Sequence, residues 1–260
     1  MLALHQCEAM PNYPHLNNAP VVEAVIDLRT RLAKPVGPAE FKAFRERQQS
    51  KYLKAQHIQL VKADFRLETD APKGDEMSRQ VVGVRLDDAD GHWAIQAKSD
   101  GLTVSRLAPY SSWDDLVATV RALWGDYVEL FAPEMVTRLG VRYINLLPVP
   151  VDKPIDLDSM LTAGPRIPKD LPQEMTEFMT RLVLPIPQNG IVLTVVQAPG
   201  AAASGSNSGS AGVILDIDAA CDQSYALDRP AMWEKLEQLR DAKNMAFFGS
   251  VTRETWETFL

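Results

Sequence analysis

Two sets of side chains in this sequence can do chemistry. The first is a carboxylate pair, Asp216 and Asp218, which flank Ile217 on a strand-like stretch and follow Gly205-Ser206. Residues two apart on a strand share a face, so both carboxylates point the same way, as holding divalent metals against a triphosphate requires. The second is a set of arginines. Alternation read strand by strand puts Arg29, Arg31, Arg85, Lys98, Arg138, Arg142 and Arg181 on one polar face, among Glu23, Asp27, Asp87, Asp216 and Asp218. Guanidinium groups make planar, bidentate contacts to carboxylate or phosphate, so this face suits an anionic ligand or a protein partner. Arg29, Arg138, Arg142 and Arg181 are the candidate binding residues, and Gly140 between Arg138 and Arg142 leaves room for close approach. The plainer alternative is a solvated face of cross-strand ion pairs, each worth little.

The glycine-serine step followed by paired aspartates resembles the pattern of divalent-metal-dependent nucleotidyltransferases. In that pattern a helix lies between the two parts. Here the interval Asn207-Ser208-Gly209-Ser210-Ala211-Gly212 is too rich in glycine and serine to form one. Asp216 and Asp218 therefore read first as solvent-facing strand carboxylates, with the enzyme as the alternative. His5, His15, His57 and His92 are scattered without metal-ligand spacing, so neither metal nor cofactor is expected. No nucleophile elbow, phosphate loop or dinucleotide-binding turn occurs. Trp113, Trp124, Tyr127 and Phe131 recur at helical spacing, which makes them core before it makes them a ligand box, and Trp233 and Trp256 read the same way.

Composition narrows the class. With 260 residues, 46% of them hydrophobic and 23% charged, the chain can bury a sizeable core. Its 27 lysines and arginines against 34 aspartates and glutamates give a net charge of -7, which disfavours coating nucleic acid or an anionic membrane through bulk charge. A nucleic-acid binder is further disfavoured because exposed aromatics are not interleaved with the arginines. Cys7 and Cys221 form no closely spaced framework, and no stretch reads as a leader or a membrane span. A cytoplasmic protein with reduced thiols is the expectation.

These residues must be positioned by an α+β scaffold. Residues 1–20, with Pro11, Pro14 and Pro20, read as an extended arm. A first half, 21–134, holds a strand from Val21 to Leu32, a helix from Glu40 to Leu53, and strands His57–Glu68, Arg79–Asp87, His92–Lys98 and Leu102–Leu107. A long helix capped by Ser111 or Ser112 and stopped by Pro133 closes it. Asp90-Gly91 and Asp100-Gly101 are tight-turn pairs that fold the last three strands into an antiparallel meander. A second half, 135–260, repeats the order with strand Arg138–Leu147, a short helical piece around Leu157–Leu161, and strands Thr176–Leu184, Ile191–Gln197 and Val213–Asp218. It ends on a helix from about Arg229 to Lys243. Residues 198–212, rich in Ala, Ser and Gly, read as a flexible loop within a hairpin. Two such β-α-β(3-4)-α units predict one curved antiparallel sheet with helices on one face, similar in topology to the duplicated saddle of TATA-binding-like folds.

Three stretches carry a resemblance. Asn18-Ala19-Pro20-Val21-Val22-Glu23-Ala24-Val25, Arg138-Leu139-Gly140-Val141-Arg142-Tyr143-Ile144-Asn145 and Phe247-Phe248-Gly249-Ser250-Val251-Thr252 resemble landmarks of a sporadically distributed family of bacterial proteins without an assigned function. The resemblance spans nearly the whole chain and implies a protein of about this length without appended modules. It brings no activity, cofactor or catalytic residue. The expectation is a non-catalytic binding protein that uses its open sheet face.

Overall fold

In a computed structural model, residues 13–64, 76–149, 156–201, 211–227 and 230–260 are described. Strand β1 (Val21–Leu32) follows its period-two pattern: Ala24, Ile26 and Leu28 are fully buried, while Glu23, Asp27 and Arg29 face the other way. Helix α1 (Pro38–Gln48) starts with Pro38 at a position where a missing N–H costs nothing, and the Glu40 carboxylate accepts the Gly37 N–H at 2.8 Å. Phe41 and Phe44 anchor it. It ends earlier than the pattern predicts. Lys51 and Tyr52 both donate back to the Gln48 carbonyl, turning the chain so that Tyr52 is buried and Leu53 is left 66% exposed.

Strands β3 (Glu76–Asp87), β4 (Trp93–Lys98) and β5 (Gly101–Leu107) form the expected meander, and β2 (Lys54–Asp64) extends it by pairing with β3. The end of the predicted second strand, beyond Asp64, lies outside the described residues. Gly91 takes φ +74°, and at Gly101, with φ +152°, a Cβ would lie 2.2 Å from the Leu28 carbonyl, so only glycine fits that turn. Helix α2 (Trp113–Phe131) is capped by Ser112, whose hydroxyl accepts the Asp115 N–H, and its predicted aromatic stripe is buried. Tyr127 shows how that stripe tolerates a polar tip: its hydroxyl donates to the Lys98 carbonyl at 2.9 Å and meets Thr30 Oγ1 at 3.0 Å.

Strand β6 (Pro133–Pro148) begins before the predicted Arg138, because Pro133, Met135 and Val136 continue the pairing with the end of β1. There follow α3 (Leu157–Met160), β7 (Thr180–Ile186), a single 3₁₀ turn at Pro187–Asn189, β8 (Ile191–Ala201), β9 (Ala211–Cys221), α4 (Pro230–Ser250) and α5 (Arg253–Glu257). The hairpin arms run further than predicted, since β8 and β9 pair out to Ala201 opposite Ala211. The rest of the expected flexible loop, 202–210, and Arg229 at the expected start of the last helix lie outside the described residues.

All described pairings are antiparallel, in one nine-stranded sheet of order β2-β3-β4-β5-β1-β6-β9-β8-β7. Helix α1 packs on β3 and β4, α2 on β5 and β1, and α4 on β6, β8 and β9, enclosing one hydrophobic core on the side of Ala24, Ile26 and Leu28. Among the described residues no helix packs on the opposite face of the central strands, the open face. Part of the predicted N-terminal arm is not free: the Asn18 N–H donates to the Phe259 carbonyl, Pro20 accepts the Leu146 N–H, and Leu16 and Ala19 pack against the core. No helix among the described residues is long and apolar enough to cross a membrane.

Candidate functional site

The register of the central strands brings three of the four candidate arginines together on the open face. Directly opposite residues are Arg29 with Arg138, Asp27 with Gly140, and Val25 with Arg142 across β1 and β6, then Arg142 with Asp218 and Ile144 with Asp216 across β6 and β9. Two facing arginines would repel. Asp27 resolves this by bridging them: its Oδ2 accepts Arg29 Nε at 2.9 Å and Arg138 Nη1 at 3.0 Å, while its Oδ1 accepts Thr103 Oγ1 at 2.6 Å. Arg138 also donates to Asp218 at 3.3 Å and lies 3.6 Å from Asp222, and Arg29 donates to Asp100 at 2.6 Å. Arg142 grips Asp216 with two parallel bonds, 2.8 and 2.5 Å.

The space at Gly140 is real but has another use than the one its sequence position suggests. A Cβ there would sit 2.8 Å from Arg138 Nη1, so the glycine is the seat on which the Arg138 guanidinium lies flat between Asp27 and Asp218. Arg181, the fourth candidate, shares the open face through the row Ile144, Asp216, Val196 and Arg181, but stands three strands from β6. At about 4.8 Å per strand that is roughly 14 Å, so it is not part of the cluster. Elsewhere on this face Arg85 holds Asp87 through bonds of 2.7 and 3.0 Å, and Arg31 holds Glu134 at 2.9 Å.

Three guanidinium groups in the cluster thus face five carboxylates, Asp27, Asp100, Asp216, Asp218 and Asp222. A free phosphate reaching Arg138 must displace aspartates that already hold it. The same bonds bear on the metal reading of Asp216 and Asp218. Both oxygens of Asp216 belong to Arg142, and Asp218 holds Arg138. The Asp218 carboxyl is pushed up by burial; Arg138 and Arg142 pull it back, and Asp216 and Asp27 push it further up. The associated Gly205 and Ser206 lie outside the described residues, as do His5 and Cys7. Among the described residues Asp88, Asp90 and His92 approach one another, and Asp88 there accepts the Trp93 N–H at 3.0 Å as a turn cap.

A second candidate site, a cleft, lies on the helix side, away from the open-face arginines. It is a cavity of about 320 Å³ walled by residues 13–21, the start of α2, Tyr143 and Asn145 of β6, and Arg240, Lys243, Phe247 and Phe248 of α4. Strand alternation explains its floor. Tyr143 and Asn145 point inward because Arg142 and Ile144 point out. Asn145 is held by donating to the Leu215 and Tyr143 carbonyls. Tyr143 and Tyr110 share a hydrogen bond of 2.8 Å, and burial pushes both phenols up. Tyr13 stacks on Phe248 with ring centroids 4.5 Å apart.

Lys243 is the unusual wall residue. Its Nζ lies 3.8 Å from the Tyr143 ring centroid and donates to Asn244 Oδ1 at 2.6 Å. It is densely surrounded by protein while its surface still meets the cavity. Burial, then the neighbouring Arg240 charge, pulls its ammonium down to about 7, with Asp241 opposing. Arg240 sits 5.6 Å from the Trp113 ring centroid and 3.4 Å from Glu237, and Glu237 also accepts the Trp113 indole N–H at 2.8 Å.

None of this was assembled from the sequence, though one signal was there. Met232, Leu236, Leu239 and Phe247 are buried along α4, and Lys243 falls between the last two on the same stripe. The three stretches that carry the family resemblance also meet here, contributing Pro20 and Val21, Tyr143 and Asn145, and Phe247 and Phe248 to one cavity. No protein-family model matches the chain, and no curated protein matches it, so the arrangement of these residues carries the functional argument by itself.

Proposed function

We propose that this is a non-catalytic interaction protein whose open sheet face docks a protein partner. The observation that supports it is the ladder across β1, β6 and β9, in which Arg29, Arg138 and Arg142 are held by carboxylates before any partner arrives. Side chains already fixed lose little entropy on docking. Arg142 is 49% exposed, and its bonds to Asp216 use Nε and Nη2, so among the described residues Nη1 is left as a donor for a partner's carbonyl or carboxylate. Since carboxylates outnumber guanidiniums in this cluster, the reading moves from a free anion toward a peptide surface of mixed charge.

The chain is inferred to be two similar halves of TATA-binding-like topology, because β5, β4 and β3 flank β1 in the order in which β9, β8 and β7 flank β6. A cytoplasmic location is supported by Cys221, a buried thiol that is unpaired among the described residues. Membership of the bacterial family rests on the three landmark stretches.

The test is chemical cross-linking of the tagged protein in its native cells, comparing wild type with Arg142→Glu. Cross-links to a protein partner should map to β1, β6 and β9 and disappear in the variant. Cross-links confined to the helix face, or retained in the variant, would refute the proposal.

A further inference from the structure

We infer that the helix-side cavity between residues 13–21, α2, β6 and α4 is a binding site for a small organic monocarboxylate with a planar apolar body, its charge set against Lys243 and Arg240. The cavity, about 320 Å³, is at the lower end of the size of small-molecule sites, roughly 300–1,000 Å³. Its walls divide in the way such a ligand needs. Tyr13, Trp113, Tyr143 and Phe248 supply aromatic surface for the body, and Lys243 and Arg240 lie together on one side.

Lys243 makes the case for an anion. Among the described residues it has no carboxylate within ion-pairing distance, and its contacts are an amide oxygen and the face of a phenol ring. An ammonium group enclosed this way is under-compensated, and a carboxylate entering the cavity would be its missing partner. The two phenols add a donor. Each has one O–H, and their mutual hydrogen bond uses only one of the two, so the second proton is left for an acceptor in the cavity. The first turn of α2, with Ser111 and Ser112 on the wall, adds the positive end of a long helix.

The remaining charges set the valence. Against Lys243 and Arg240 stand Asp114 on the wall and Glu237, which bonds Arg240 and the Trp113 indole; Asp241 lies beside Lys243 and His15 on the arm side. With three carboxylates already around the two cations, a dianion such as phosphate meets more repulsion than a single carboxylate, which the Lys243 ammonium matches. That separates this cavity from a phosphate site.

The test is calorimetric titration of the whole protein with benzoate and hexanoate as probes, benzamide as the neutral counterpart of benzoate, and inorganic phosphate. Wild type should bind a monocarboxylate at millimolar concentration or below and benzamide much more weakly. Lys243→Met should weaken the monocarboxylate about ten- to hundredfold. On wild type alone, benzoate should slow acetylation of Lys243 by acetic anhydride severalfold, read by peptide mass, which keeps the test decisive if the variant does not fold. The inference is overturned if neither monocarboxylate binds, if the variant binds them as wild type does, if phosphate binds tighter than both, or if Lys243 acetylation is unchanged by benzoate.

Discussion

Replacing Lys243 by Met tests the electrostatics of the cavity without any ligand. The side chains are similar in length, so packing along α4 is kept while the charge goes. In the fold the ammonium is pulled from the usual 10.5 down to about 7. At 1.36 kcal/mol for each tenfold change in proton affinity, forcing Lys243 to stay charged costs roughly 5 kcal/mol. Water in the cavity screens part of this, so about 2–3 kcal/mol is the figure to expect, and losing the contacts to Tyr143 and Asn244 returns about 1 kcal/mol. At pH 6 the variant should therefore be the more stable protein by about 1–2 kcal/mol. The direction with pH follows from proton counting. Between about 7 and 10.5 the unfolded chain holds the Lys243 proton and the folded chain does not, so wild-type stability rises with pH through that window and the full penalty applies below it. By pH 10 the advantage of the variant should vanish or reverse. Urea denaturation of both proteins at pH 6, 7, 8.5 and 10 measures this as a difference in which other titrating groups cancel. A difference that is flat with pH, or a variant less stable at pH 6, would show that Lys243 is well solvated and would refute the reasoning.

Asp27→Ala removes the bridge between Arg29 and Arg138, leaving two guanidiniums opposed and the Thr103 hydroxyl without its acceptor; because Asp27 is only 14% exposed, a loss of roughly 2–3 kcal/mol by urea denaturation is expected, and a loss below about 0.5 kcal/mol would mean the ladder is an ordinary surface array. If Asp216 and Asp218 serve Arg142 and Arg138, Mg²⁺ with nucleotide should not raise the melting temperature of wild type, nor of the double Asn variant; a rise in wild type that the variant lacks would restore the metal reading.

Alternation was the legible part of this chain. Because side chains on a strand repeat every second residue, Ala24, Ile26 and Leu28 and the arginines of the opposite face could be assigned before any pairing was known. Turn chemistry placed the meander for the same local reason, at Gly91 and Gly101. What alternation does not carry is register. Whether Arg138 faces Asp27 or Arg29, and whether Gly140 is open space or a seat for Arg138, depends on how β1 and β6 slide against each other, and a shift of one residue would change every partner. The ends of elements failed for a related reason. Leu53 suits a helix by composition, but Tyr52 needs the core, and burying a ring outweighs one more turn of exposed helix.

The cavity was hidden by a different confusion, between composition and position. A lysine on an amphipathic helix is ordinarily assigned to the wet side, and a helix expected to end near Lys243 leaves that residue as a terminal charge. Position says otherwise, since Lys243 is four residues beyond Leu239 and four before Phe247, both buried. A lysine can occupy such a place because its stem is apolar and its head can be turned toward any polar opening. That opening exists only because Tyr143 and Asn145 from β6, Tyr110 ahead of α2 and the segment from Tyr13 arrive at the same point from distant parts of the chain. A charged residue in phase with a buried stripe is thus a signal that its head must find a polar opening, which for Lys243 is this cavity.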